Sequence, residues 1–396
     1  YKVDGFRFDL MGHHMKRNLE AARDALRALT LAEHGVDGSS IYLYGEGWDF
    51  GEVQGGQRGV NASQIPMAGT GIGTFNDRIR DAVRGGNPFG DRREQGVATG
   101  LHVQPSRWSA ASGPRGAADL RAQLDRTRTG MAGNLRERGG YNADPQENVV
   151  YVSAHDNETL FDKIQFAASE DAPLAQRIRM QGLAHGIVAL SQGVPFFHAG
   201  SELLRSKSMD RDSYDSGDWF NRLDFTAETN NWGVGLPIAD KNQERWEIIG
   251  PLLADPTLRP TPEQIRGVRD QFLDWLRIRR SSPLFRLRTA EEINGRVRFL
   301  NDVPDGPPGV IVMSLADDGD GLADLDPEAR RIVVVFNATP DPVRWSRPAW
   351  RGEPLQLHPV QAAGADPAAR NAAWNPDRGE LSVPAWTAAV FRQPQE

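Results

Sequence analysis

The chain has 396 residues, 46 Lys and Arg against 53 Asp and Glu, a formal charge of −7, and no cysteine. That balance argues against a nucleic-acid partner, which needs a basic face, and the missing thiols exclude disulfides, thiolate zinc sites and a cysteine nucleophile. Hydrophobic residues at 39% suit a sizeable core, and no apolar run approaches the ~18–20 residues of a transmembrane segment. From the first residues to about 285, strand-like runs alternate with helical stretches. Residues 3–8 read as a strand. Met15, Leu19, Ala22, Leu26 and Leu29 then step by four, three, four and three, the buried stripe of a helix. Residues 41–45 and 69–75 are apolar runs, the second leading into a helix at 77–84. Residues 86–117, rich in Gly, Pro, Ser and Arg, read as a long loop. Strands at 149–154 and 194–199 flank a helix at 174–190. Residues 205–260 lack periodicity, and irregular chain of that length is often functional. Thr261-Pro262-Glu263-Gln264 opens a helix with Thr at the N-cap, Pro at N1 and Gln at N3. Its apolar face is predicted at Ile265, Val268, Phe272, Trp275 and Leu276. Beyond Pro283 the pattern is strand only, at 297–300, 310–315, 332–336 and Val390-Phe391, with turn-rich chain at 304–309 and 317–321. The order is β-α repeats followed by an all-β tail.

Three strand ends carry polar clusters. Arg7 and Asp9 share one side of an extended strand, with His13 and His14 following. The second run ends in Tyr44-Gly45-Glu46-Gly47-Trp48, and the third in Ser153-Ala154-His155-Asp156-Asn157. Each has a bland counterpart: a structural ion pair, a turn, a helix cap. In a β/α barrel, however, the C-terminal strand ends face a shared active site, and three carboxylates converging there suit acid, base and nucleophile work. Gly69-x-Gly71-x-Gly73 lacks the third glycine of a dinucleotide loop, since Thr74 stands next. No P-loop, H-E-x-x-H or G-x-S-x-G pattern occurs. Asp317-Asp318-Gly319-Asp320-Gly321 hints at calcium but lacks the rest of an EF-hand loop and reads as a solvated acidic turn.

In order, these clusters resemble the second, third and fourth conserved regions of the α-amylase family, glycoside hydrolase family 13. A narrower resemblance, to pullulanases and limit dextrinases, rests on residues 10–14, 42–50, 73–78 and 205–221, among them Arg205-Ser206-Lys207 and Gly217-Asp218-Trp219-Phe220-Asn221. The resemblance implies an α/β fold: the C-terminal part of a (β/α)8 TIM barrel, about strands four to eight, over residues 1–285. An all-β antiparallel sandwich over 286–396 follows. It implies Asp9 as nucleophile, Glu46 as general acid/base and Asp156 as the transition-state-stabilising carboxylate. Arg7 would hold Asp9 ionised, and Glu46 should sit above the ~4.3 reference pKa. His13 and His155 would bind sugar at the cleavage site, Trp48 would stack on a glucose ring, and Arg205, Tyr214 and Asp218 would make further glucan contacts. The implied activity is retaining cleavage of α-1,6 branch linkages in pullulan, limit dextrins and branched starch or glycogen fragments. An α-1,4-acting amylase or neopullulanase, or an inactive glucan-binding fragment, is the alternative. No cofactor is required for this chemistry; a structural calcium is compatible with the family, and no metal ligands can be named.

The family's first conserved region, three barrel strands and the Tyr-Asn-Trp-Gly signature have no counterpart here. With Tyr1 in place of an initiator Met and no basic n-region or apolar h-region after it, the chain reads as part of a longer protein; its compartment stays open, a secreted or cell-surface bacterial enzyme being favoured over a cytoplasmic one. Expressed alone, it is expected to expose sheet edges at residues 3–8 and 194–199, baring Phe6, Phe8, Phe196 and Phe197. Poor solubility and at least ~10³-fold lower activity would follow.

Overall fold

Five short strands lie side by side in chain order. The computed structural model describes residues 3–109, 113–303, 306–318 and 321–395. In it, β1 (Gly5–Phe8), β2 (Tyr42–Gly45), β3 (Gly73–Phe75), β4 (Asn148–Val150) and β5 (Val194–Pro195) form one wholly parallel sheet, each strand paired with the next. Parallel neighbours need crossover connections. The Lys16–Arg27 helix supplies the first, Asp77–Arg84 and Gly113–Met131 lie between β3 and β4, and Leu160–Ala167 and Leu174–Ala189 lie between β4 and β5. The result is a parallel half-barrel with all C-terminal strand ends on one side.

The strands are shorter than the apolar runs suggest. Ahead of β3, Gly69 and Gly71 take positive φ, and both amides donate to the buried Glu147 carboxylate, at 2.7 and 2.8 Å. The glycine pattern therefore builds a carboxylate-anchored turn, and the strand starts only at Gly73. β5 stops at Pro195, a residue that cannot donate to a ladder. Phe196 then packs on Phe75 and Tyr151, while Phe197 packs on Phe272. Of the four phenylalanines expected to be bare at the edges, Phe6 alone is exposed; Phe8, Phe196 and Phe197 are half-buried.

Two helices fall where no regular element is read from the sequence, the first overlapping the 86–117 loop at residues 113–117. Gly113–Met131 buries Leu120, Leu124, Thr127 and Met131, a four-three-four stripe that its Gly, Arg and Thr content disguises. Trp246–Ala254 lies inside the irregular stretch and carries Pro251 within it. The capping box at Thr261 forms as expected: Gln264 N–H donates to the Thr261 hydroxyl at 3.3 Å, and Thr261 N–H to the Gln264 amide oxygen at 2.9 Å. On the Pro262–Ser281 helix that follows, Ile265, Val268 and Trp275 are buried, whereas Leu276 faces out and Ile278 takes its place.

Beyond this helix, β6 (Val297–Phe299), β7 (Val310–Ala316), β8 (Ala329–Asn337), β9 (Val343–Ser346), β10 (Gln356–Leu357), β11 (Ala373–Asn375), β12 (Glu380–Val383) and β13 (Thr387–Pro394) form two antiparallel sheets. Their orders are β10-β13-β8-β7-β6 and β11-β12-β9. The continuous apolar runs of β7 and β8 now have a reason. Ile311, Met313, Ile332 and Val334 face the helices, sharing a core with Leu183, Ile187 and Trp275. Their alternates Val310, Val312, Val333 and Val335 face the small sheet, against Leu381, Val383 and Trp350. A strand covered on both faces loses its polar alternation. The 317–321 segment is not a solvated turn throughout. Asp317 is sealed against Arg296 at 2.8 Å, each side chain 1% exposed, while Gly319 and Asp320 lie outside the described residues.

Candidate active site

Asp9 and Glu46 stand one residue past the ends of neighbouring strands. Register sets this: Phe8 pairs with Gly45, and Glu46 N–H donates back to Phe8 O at 3.1 Å. Two close backbone approaches hold the corner. Gly12 N–H donates to Glu46 O at 2.8 Å, and a Cβ on Gly12 would lie 2.0 Å from the Trp48 carbonyl oxygen, so only glycine fits there.

Arg7 does more than the sequence assigns to it. Its Nη1 donates to Asp9 Oδ1 at 2.7 Å and its Nη2 to Glu46 Oε1 at 2.6 Å, so one guanidinium bridges both acids. The second Glu46 oxygen accepts from Leu10 N–H at 2.8 Å. The two carboxylates differ in surroundings: the Glu46 side chain is 9% exposed and that of Asp9 68%. A His155 ring nitrogen and one oxygen from each acid all lie within 4.8 Å of one another. His155 Nε2 is also 3.4 Å from Asp156 Oδ1, which ties to the same cluster the irregular chain after β4, a strand that ends at Val150 and not at 154 as the sequence suggests.

This cluster opens on a cleft of 790 Å³ lined by Arg7, Glu46, Trp48, Asp156 and Tyr214 among the residues singled out in the sequence. Trp48 presents its indole beside Glu46, with Arg80 6.0 Å from the ring centre. Tyr214 is exposed, with Lys241 Nζ 3.7 Å from its ring centre. Five candidates do not line the cleft: Asp9 and His155, held in the cluster with Glu46, and His13, Asp218 and Arg205. His13 packs edge-on against Phe50, at 4.7 Å between ring centres. Asp218 sits exposed in the one-turn Asp218–Asn221 helix. Arg205 turns inward, donating to Ala199 O and Asn221 O at 3.0 Å each and standing 3.0 Å from His198 Nε2. It fastens its loop instead of lining the cleft.

Sequence reading missed several residues that shape the site. Asp77, Arg80, Asp81 and Arg84 line the cleft from the Asp77–Arg84 helix, at spacings of three, one and three. Their signal was legible, because Ile79, Ala82 and Val83 mark the opposite, buried face. Burial raises the Asp81 carboxyl above its usual range despite Arg80, and lowers the Arg84 guanidinium, with Arg80 adding to the effect. Behind the β4 end, the buried Lys207 ammonium donates to His155 O at 3.2 Å and Arg211 O at 3.1 Å. Asp162 accepts from Ser206 Oγ at 2.5 Å and Lys207 N–H at 2.7 Å, and burial pushes its carboxyl up to about 6. These bonds clamp the 205–211 segment to the Leu160–Ala167 helix and so fix where His155 stands.

Residues 227–394 match the family model described as "Alpha-1,6-glucosidases, pullulanase-type, C-terminal". Among curated proteins, the chain is 49% identical to pullulanase 1, chloroplastic, of Arabidopsis thaliana, over 99% of this chain and 43% of that protein. It is 40% identical to a pullulanase of Klebsiella pneumoniae, over 100% of this chain and 37% of that protein. Among solved structures, Klebsiella pneumoniae pullulanase complexed with maltotriose superposes with a TM-score of 0.92 at 39% identity, covering all of this chain and 38% of that one. The chain spans less than half the length of these relatives. Among the described residues, no helix is long and apolar enough to cross a membrane. By sequence along essentially its whole length and by fold, the chain is similar to the pullulanases, and its residues 227–394 match the pullulanase-type C-terminal model.

Proposed function

We propose that this chain carries the catalytic acids of a retaining glycoside hydrolase that cleaves α-1,6-glucosidic branch linkages in pullulan, limit dextrins and related branched α-glucans. The observation that carries the reading is the Asp9–Glu46 pair, bridged by Arg7 at neighbouring strand ends and open to a cleft large enough for several sugar units. Retaining glycosidases hold their two carboxyl groups close together, about 5–5.5 Å apart, and here one oxygen of Asp9 lies within 4.8 Å of one oxygen of Glu46. In the first step an Asp9 oxygen bonds to the anomeric carbon as the bond to the branch oxygen breaks, and Glu46 gives that oxygen its proton. In the second, Glu46 takes a proton from water, whose oxygen displaces Asp9 and restores the original anomeric configuration. Exposure suits the roles: Asp9 stands where a sugar can reach it, and Glu46 is held in place by Arg7 and Leu10 N–H. Asp156 and His155 would steady the positive charge that develops on the sugar ring, and Trp48 and Tyr214 would offer aromatic faces to glucose units.

The β1–β5 half-barrel corresponds in this reading to strands four to eight of an eight-stranded barrel over residues 1–285, with 286–396 as the sandwich domain. No cofactor enters either step. Calcium favours six to eight oxygen ligands. The Asp9, Glu46 and His155 group offers it a ring nitrogen and oxygens already engaged by Arg7. That donor set does not suit calcium. The test is linkage specificity in the full-length protein. Pullulan should go to maltotriose while linear amylose stays nearly intact. Rapid amylose depolymerisation, with pullulan untouched or cut to panose, would overturn the α-1,6 assignment.

A further inference from the structure

The charged face of the Asp77–Arg84 helix is engaged at three of its four positions. Asp77 accepts from the Gln64 amide at 2.9 Å, and Arg80 donates to Asp81 and to the Tyr151 hydroxyl at 2.7 Å each. Arg84 differs. The residue is 3% exposed, and its Nε is buried without a hydrogen-bond partner. Glu158, the acid that most offsets the effect of burial on Arg84, is itself paired with Arg92 at 3.0 Å. A guanidinium carries five N–H donors in a rigid fork, and leaving one of them buried and unpaired is costly. Arg84 also lines the 790 Å³ cleft, so an acceptor can reach it from that side.

We propose that Arg84 is a substrate-binding residue of this cleft, whose guanidinium donates to hydroxyl oxygens of a glucose unit in the bound glucan. This rests on the glucan reading above. The charge of the cleft selects a neutral ligand. Four guanidiniums, Arg7, Arg80, Arg84 and Arg211, face six carboxylates from Glu46, Asp49, Asp77, Asp81, Asp156 and Asp212. A wall with more carboxylates than cations repels an anion, whereas a polyhydroxylated sugar accepts from arginine and donates to aspartate at once. Asp9 and Glu46 bond to Arg7 and Leu10 N–H and not to Arg84, which therefore takes no part in proton transfer. Its loss should therefore weaken binding more than turnover.

The experiment compares full-length wild type with Arg84→Met and Arg84→Lys, by maltotriose titration calorimetry and by steady-state kinetics on pullulan. Arg84→Lys keeps charge and stem, loses the fork, and serves as the readout should Arg84→Met fail to fold. The expected result is a maltotriose Kd and a pullulan KM raised ~10-fold or more in either variant, with kcat within ~3-fold of wild type. Unchanged Kd and KM in both variants would overturn the proposal while pullulan cleavage still upholds the glucan reading. Phosphate competing with maltotriose in wild type but not in the variants would assign Arg84 to anions and overturn it as well. A wild-type protein that neither binds maltotriose nor cuts pullulan would remove the reading beneath it.

Discussion

Two arginine–carboxylate clusters in this molecule use the same chemistry to opposite ends. Arg296 and Asp317 are sealed between the Ala290–Arg296 helix and the large antiparallel sheet, each 1% exposed. Asp317 also accepts from the Leu325 and Asp326 amides, and Arg296 donates to Asp317 O and Ala323 O. Arg7, by contrast, bridges two acids at the rim of a cleft, and one of them is 68% exposed. A sealed pair can only hold structure, because no reagent reaches it and its charges face fixed partners, Arg296 Nε alone being left without a hydrogen bond. An open cluster has traded that closure for access, as a reactive site must. The difference lies in what covers the ion pair, since the residue types are the same.

The largest expected effect breaks the open cluster. Glu46→Gln in the full-length protein keeps the side-chain shape and one acceptor oxygen, for either Arg7 or Leu10 N–H, but removes the transferable proton. Pullulan hydrolysis should fall by ~10²–10⁴ while maltotriose binding persists. Wild-type turnover in a purified, sequence-verified variant would dismiss Glu46 as the acid/base. Next comes the sealed pair. Arg296→Met strands a buried carboxylate and should cost ~3–5 kcal/mol in urea unfolding, and adding Asp317→Leu should recover much of that. A loss below ~1 kcal/mol in the single variant would mean that the pair is not sealed in solution.

Acid should sharpen the contrast further. Burial pushes the His185 imidazole down to about 4, well below its value in an unfolded chain. The unfolded state therefore takes up the proton first as pH falls below ~6.5, and stability drops by about 1.4 kcal/mol per unit until pH nears 4. Asp162, raised to about 6, has the opposite sign: its proton binds the folded state first, offsetting part of the loss between pH 6 and 4. In His185→Gln the stability lost between pH 7 and 5 should shrink by ~2 kcal/mol, read from urea midpoints at the two values. An unchanged pH dependence would place the imidazole in contact with solvent. The smallest effect is at the helix joining the two regions. Thr261→Ala removes one half of the capping box and should cost ~1 kcal/mol, whereas Thr261→Asp should cost far less; equal losses would show that the cap contributes through packing.

Local sequence settled much of this. The Thr261 capping box and the limits of Asp77–Arg84 depend on neighbours within a turn or two, and there the structure agrees with the reading; of the stripe read at Met15, Leu19, Ala22, Leu26 and Leu29 only Leu19 is buried, and Met15 and Leu29 fall outside the Lys16–Arg27 helix. Arg7, Asp9 and Glu46 were legible because they stand at or just past the ends of β1 and β2, whereas His155 and Asp156 lie five and six residues beyond the end of β4, in irregular chain where the sequence reads strand as far as 154. Tertiary structure decided the rest. Arg7 could be assigned to Asp9 from their spacing, but its bond to Glu46 depends on β1 pairing with β2 across 39 residues. Arg205 looked like a cleft residue from its motif, yet the fold of 198–221 turns it toward backbone carbonyls. The Gly113–Met131 helix is stable because Leu120 and Leu124 find a core, which a helical stripe weak in apolar residues does not advertise. The two apolar faces of β7 and β8 likewise acquire meaning only once helices cover one and a second sheet the other. Periodicity and capping are short-range and so are written in the chain, whereas burial, register and the partner of each charge depend on residues far away in sequence, which only the folded chain brings together.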